Sequence, residues 1–181
     1  PLNIVMTGDP ENPLALEVPL IITRSDVNIT VSPSGTITLD GTGVVDPVTG
    51  DPIPNIVEVS GSNVTLDGIN VINGQVDLIT QPGGATQGVV LRNLVLHDAI
   101  SDDCINLRDC TDCLIENVQA YRCFKKGLQL TGVTNITVRN VTIGIGDENA
   151  GPITCDADDT GDTTCMFGSN SPRAFVEIFK S

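Results

Sequence analysis

The 181-residue chain has no tryptophan, one tyrosine, one histidine and four phenylalanines. A core without large rings has to be filled by Val, Ile and Leu, which suits a narrow interior. The same scarcity removes the usual stacking surfaces for sugar rings, so a glycan-binding module ranks behind other readings. Basic residues are also few, with 9 Lys and Arg against 23 Asp and Glu and a net charge of −14. Neutralising phosphate needs a basic face, so no nucleic-acid partner is expected. Acidic polysaccharide is disfavoured on the same ground. No apolar run approaches the roughly 20 residues that cross a bilayer, so no membrane span is expected. The chain opens on Pro1 with neither Met nor an apolar leader, the pattern of a processed product.

What is present is a repeat. Val64 to Val71, Val89 to Leu96, Cys113 to Ala120 and Ile136 to Ile143 align, their starts 25, 24 and 23 residues apart. That spacing lies in the range of roughly 20 to 50 residues that marks a solenoid. Each copy has an alternating apolar run, a polar pair and a second alternating run, the pattern of short strands broken by a tight bend. No copy can bury its apolar side alone, whereas stacked copies build one continuous core. The register places Asn93, Asn117 and Asn140 above one another at the bend, with Gly68 in the earliest copy. Asn and Gly tolerate a left-handed backbone, and stacked Asn amides can hydrogen-bond from coil to coil. The preceding position reads Asp67, Arg92, Glu116, Arg139, a column of alternating charge that pairs neighbouring coils.

Further strands are expected at Ile56 to Val59, Val76 to Ile79, Cys104 to Leu107 and Gly127 to Leu130, giving two or three per coil. Asn28 to Val31 and Thr36 to Gly41 form an early coil whose second half echoes Val64 to Gly68. Residues 42 to 55, rich in Pro and Gly, bulge as a loop. Pro10, Pro13 and Pro19 exclude a helical plug over the first coil. Ala174 to Phe179 is a short apolar strand, to be folded back on its own coil or lent to a neighbouring subunit. Leu66, Val71, Leu91, Leu94, Leu107, Leu114, Val118, Leu128, Val138 and Val141 should form the core.

The unit length, Asn column and strand pairs resemble the pectin-lyase-like superfamily over roughly residues 20 to 145. The resemblance implies an all-β fold, a single-stranded right-handed parallel β-helix (β-solenoid) of about six coils. Three stretches follow: 1–23, an N-terminal segment available for intersubunit contact; 24–146, the coils; and 147–181, a disulfide-closed acidic loop with a C-terminal strand.

Six cysteines, Cys104, Cys110, Cys113, Cys123, Cys155 and Cys165, indicate an oxidising compartment and hence an extracellular, secreted or cell-surface protein. Cys155 and Cys165 are the expected pair within the acidic loop. Cys104 or Cys110 should bond near Cys113 or Cys123, and a metal at Cys110-x-x-Cys113 would lack a second ligand pair. Sequons occur at Asn28, Asn63, Asn135 and Asn140; they serve as glycan acceptors or as bend residues of the coil.

Ser101 to Leu107 (Ser-Asp-Asp-Cys-Ile-Asn-Leu) resembles the paired-aspartate strand of the polygalacturonases. There, adjacent carboxylates protonate the leaving group and activate water. The resemblance would give those roles to Asp102 and Asp103, with Lys126 where the family has the His of Gly-His-Gly. Asp77 falls near the family's third aspartate, but Asn73 to Asp77 is not its Asn-Thr-Asp, and no Arg-x-Lys follows. A polysaccharide lyase would instead use Asp102 and Asp103 to hold calcium and Arg122, Lys125 or Lys126 to take the proton beside a uronate carboxylate. Asp156, Asp158 and Asp162 echo a calcium loop, but the twelfth place is Phe167. His97 reads as a turn residue. With no complete catalytic set, the expected function is a non-catalytic structural β-solenoid that self-assembles head to tail into a filament or surface layer. An enzyme acting on uronate polymers ranks second, and a glycan-binding module third. No cofactor is expected, calcium being the one ion with a candidate site.

Overall fold

The computed structural model describes residues 1–8, 12–31, 36–78, 86–100, 103–124, 126–144, 151–157, 163–167 and 175–179, with 77, 78, 144 and the last three stretches given as backbone. The chain winds as stacked coils of short strands. Coil one holds β1 (Leu2–Met6), β2 (Leu14–Ala15) and β3 (Leu20–Ile22). Coil two has β4 (Val27–Val31), β5 (Ile37–Asp40) and β6 (Asn55–Val59), and coil three β7 (Val64–Asp67), β8 (Ile69–Ile72) and β9 (Gln75–Leu78). Coil four runs through β10 (Thr86–Gln87), β11 (Val90–His97) and β12 (Ile105–Arg108); coil five through β13 (Cys110–Thr111), β14 (Leu114–Tyr121) and β15 (Leu128–Thr131). The sixth begins with β16 (Thr137–Gly144), followed by β17 (Gly151–Ala157), β18 (Thr163–Phe167) and β19 (Phe175–Phe179).

Three parallel columns result. The first is β1–β4–β7–β11–β14–β16. The second is β2–β5–β8 continued by the far halves of β11, β14 and β16. The third is β3–β6–β9–β12–β15–β19. Six rungs in the first column make five full turns, an all-β solenoid with no helix among the described residues. Alternate residues point inward, so Val64 and Leu66 are buried while Thr65 and Asp67 lie outside. Stacking then produces inward columns such as Ile4–Ile29–Leu66–Leu91–Ile115–Val138. The coil-to-coil offsets of 25, 24 and 23 residues agree with the sequence register. The offset of 37 between coils two and three accommodates the bulging loop, which is closed by a Val45–Pro52 bridge and turned by Asp46, whose carboxylate accepts from Val48 N and Thr49 N.

Several expectations are corrected. Thr36 to Gly41 matches Val64 to Gly68 in letters, but β5 stacks on β8, so Leu39 lies with Val71 and the true partner of β7 is β4. Of the ten expected core residues, Leu114 is half-buried because its neighbour Ile115 takes the inward place. Val138 does occupy an inward place but is 38 % exposed, since β16 is the last rung of its column among the described residues. Within residues 1–23, β1 to β3 stack in register on the second coil. β19 folds back on its own chain, parallel to β15 and antiparallel to β18, with Val176 and Ile178 at the register positions of Leu128 and Leu130. That placement covers the open edge of β15 and removes the strand from donation to a neighbour.

Candidate functional site

The coils turn at four left-handed corners, and these corners carry most of the polar chemistry. The expected column is present: Gly68, Asn93, Asn117 and Asn140 have φ of 80°, 55°, 54° and 52°. Asn140 Nδ2 donates to Asn117 Oδ1 at 3.0 Å, Asn117 to Asn93 at 3.1 Å and Asn93 to Asp67 at 2.7 Å. Beside them Arg92 pairs with Asp67 at 2.9 Å and Arg139 with Glu116 at 2.7 Å, both exposed pairs of modest worth. Three further columns escaped the sequence reading: Asp26, Asn63, Gly88, Asp112 and Asn135; Asn73, Asp98 and Arg122; and Asp109 with Gly132, all at positive φ. Their signal was the recurrence of Asp, Asn and Gly at the coil spacing on strands not aligned. Asp40 receives Thr42 Oγ1 at 2.6 Å and Asn73 Nδ2 at 2.9 Å. Burial pushes its carboxyl up, and these hydrogen bonds outweigh it, so the pKa lies below the ordinary value.

All four sequon asparagines are ladder donors. Asn28 Nδ2 donates to Asn3 at 2.9 Å, Asn63 to Asp26 at 3.1 Å, Asn140 to Asn117 as above, and Asn135 to Asp112.

The candidate catalytic residues lie where the third column begins each strand. Asp103 is 1 % exposed, and its Oδ1 accepts the backbone N–H of Lys126 at 2.9 Å. Asp103 and Lys126 are thus brought together from adjacent coils, through a backbone bond. Asp102 and Lys125 lie outside the described residues. The backbone of Asp77 sits in register with Asn106, which is 1 % exposed and accepts from Arg108 at 2.8 and 3.1 Å in its better amide orientation. Arg122 is committed elsewhere: it bonds Asp98 through Nε at 2.6 Å and Nη2 at 2.7 Å. Those bonds hold the Asp98 carboxyl down at about 2 against the partial burial that opposes them, with help from His97. His97 is more than a turn residue. Its ring stacks on Tyr121 at 4.7 Å and 8°, and Arg122 lies 4.8 Å from the Tyr121 centroid. The single His and single Tyr of the chain therefore share one outer column, one residue beyond the aligned repeats, a signal the sequence register carried but the turn reading of His97 passed over.

Two disulfides join Cys104 to Cys123, across coils four and five, and Cys110 to Cys113. The second rules out Cys110-x-x-Cys113 as a thiolate metal pair in this state. The backbones of Cys155 and Cys165 are register partners in the antiparallel pairing of β17 with β18. Asp156 has its backbone in β17, while Asp158 and Asp162 lie outside the described residues. No group of three or more metal-ligating side chains occurs among the described residues.

The ends of the first column complete the picture. The outer edge of β1 is unpaired among the described residues, and Leu2 and Ile4, at inward positions, are each 40 % exposed. At the far end, β16 meets β17 at Thr142 and Ile143, and among the described residues no strand pairs with the edge from Thr137 to Asn140, where Val138 is 38 % exposed. Comparison with known proteins returns no match among protein-family models, curated proteins or solved structures.

Proposed function

We propose that the chain is a non-catalytic, extracellular structural β-solenoid whose copies associate end to end as a filament or surface-layer subunit. The observation behind this reading is that, among the described residues, the outer edge of β1 and the Thr137 to Asn140 edge of β16 pair with no strand, with Leu2, Ile4 and Val138 partly exposed at their inward positions. Edges of this kind are templates for another strand, and a heterologous contact that does not close gives an open fibre. The two disulfides support an oxidising, extracellular setting. Coil length and Asx-rich corners support a place among right-handed, pectin-lyase-like helices. The burial of Asp103 supports a structural role for the Asp-Asp strand, since a carboxylate sealed from solvent and bonded to a neighbouring coil is poorly placed to meet a polymer. Carbohydrate, glycans on the sequons and calcium are secondary partners in this reading.

The test is electron microscopy and sedimentation velocity of the purified protein over a wide concentration range. Fibres, sheets or a growing series of oligomers are expected. A single monomeric species throughout would sink the proposal, and cleavage of a uronate polymer that Asp103→Asn abolishes would replace it with the enzyme reading.

A further inference from the structure

We infer that Asn63 is an N-glycan attachment site, presented at a left-handed corner by an amide that keeps its bond to the neighbouring coil when the sugar is attached. This rests on the extracellular part of the reading above, because the transfer belongs to the secretory route, and it adds a modification to that reading. Asn63-Val-Thr65 has the Asn-x-Thr form that the transfer requires. The corner fixes how the side chain lies. Asn63 is exposed at φ 54°, and its Nδ2 donates to Asp26 Oδ1 on coil two at 3.1 Å. Its Oδ1 is turned towards coil four, where Gly88 has no side chain: a Cβ there would fall 2.6 Å from that oxygen. The amide is planar and its nitrogen carries two N–H groups. With oxygen and nitrogen turned to opposite coils, one N–H is directed at Asp26 and the other away from the backbone, into solvent. Among the described residues, Nδ2 makes the Asp26 bond alone.

Attachment takes only the outward hydrogen. The donor is an oligosaccharide linked through diphosphate to a polyprenol. Its anomeric C–O bond breaks, a C–N bond to Asn63 Nδ2 forms, the diphosphate leaves with the electron pair and the amide gives up one proton. The glycosylated amide retains the N–H that meets Asp26, so the ladder survives. Asn28 shows the contrast. Asn28-Ile-Thr30 has the same form, but Asn28 lies within β4, half-buried, with Asn3 and Thr65 as register neighbours on its two sides and its Nδ2 bonded to Asn3 at 2.9 Å. Neighbouring strands are about 4.8 Å apart, so a sugar rooted there crowds both adjoining rungs, whereas at the corner one neighbour is a glycine. Transfer meets the chain before it has folded. Chains modified at Asn28 are then hindered in stacking their coils, and chains modified at Asn63 are not.

The experiment expresses three proteins in a eukaryotic secretory cell line: wild type, Thr65→Val, which removes the sequon and keeps the Asn63 amide, and Asn63→Ala, which removes both. Protein from the medium is mapped by peptide mass spectrometry. The Asn63 peptide of wild type should carry a glycan that N-glycosidase releases, at several times the occupancy of Asn28, and Thr65→Val should lose it. Glycosylated wild type should melt no lower than Thr65→Val and above Asn63→Ala, because the bond to Asp26 persists in the first two. A bare Asn63 in exported protein with its disulfides formed, or equal occupancy at Asn28, overturns the inference and leaves the extracellular scaffold reading standing. A glycoprotein that melts as low as Asn63→Ala overturns it too, since the sugar would then have broken the ladder. If the chain is never exported with its disulfides formed, the extracellular reading fails and the glycan site with it.

Discussion

At the residue scale, the unusual feature is how many non-glycine residues stand at positive φ, almost all of them Asn or Asp. Left-handed backbone costs other side chains about 1–2 kcal/mol, and Asx side chains offset part of that by bonding locally or to the coil below. Asn117 bears two such bonds, donating to Asn93 and accepting from Asn140. Asn117→Ala should therefore lose about 1–3 kcal/mol in urea unfolding, and Asn117→Gly distinctly less, because glycine restores the backbone term and not the ladder. Arg122 is the exception, a long cation at φ 51°, held by its two bonds to Asp98. The Asp98 pKa is depressed from 3.8 to about 2, so the folded state favours the charged carboxylate. Its contribution is complete above about pH 4 and fades as pH falls through about 2. Thermal melts should accordingly show wild type ahead of Asp98→Asn at neutral pH, with the gap closing in that window; a gap that widens on acidification would refute the assignment.

At the scale of the strand, position in the stack decides what a side chain is worth. Leu91 is fully buried between Leu66 and Ile115, so Leu91→Ala should cost about 2–5 kcal/mol by cavity formation. Val138, in the same column but on an open rung, should cost about 1 kcal/mol or less when cut to Ala in the monomer. Comparing the two by chemical denaturation checks the end-rung assignment directly. Backbone approach matters as much as filling. A Cβ at Gly61 would clash with the backbone carbonyl of Arg24 on the coil below, so Gly61→Ala should destabilise even though it adds only a methyl group. The alternating pattern of the four aligned repeats was enough to place those strands, and their inward faces apart from β14, where Ile115 and not Leu114 points in. It misplaced Thr36 to Gly41 because a short Thr-Leu-Asp-Gly string reads alike on either side of a bend.

For the whole molecule, stability is a sum of neighbour contacts along one axis, so staples between coils have more effect than their number suggests. Cys104–Cys123 closes a loop of sequence separation 19 and ties coil four to coil five. Replacing both cysteines by Ala should cost about 2–4 kcal/mol, read as a lower melting temperature that reducing agent no longer shifts at this bond. Cys110–Cys113, only three residues apart, constrains far less chain and should matter less.

The sequence by itself determined the repeat, its register to the residue, the Asn column with its charged companion, and the filling of the core. Those features are local and periodic, and a period of one coil is readable wherever the same small set of residue types must recur. Tertiary structure alone decided the rest. That Cys104 meets Cys123, that Asp103 is sealed beneath the backbone of Lys126, and that β19 returns to β15 all depend on which segments outside the aligned repeats become neighbours after the corners turn. These partners are 19 to about 50 positions apart in the chain, so folding has to close a loop before any of them can meet. The same holds for the open rungs: Val138 carries the inward periodicity of a core residue, and only the absence of a following strand in its column, among the described residues, leaves it at the surface.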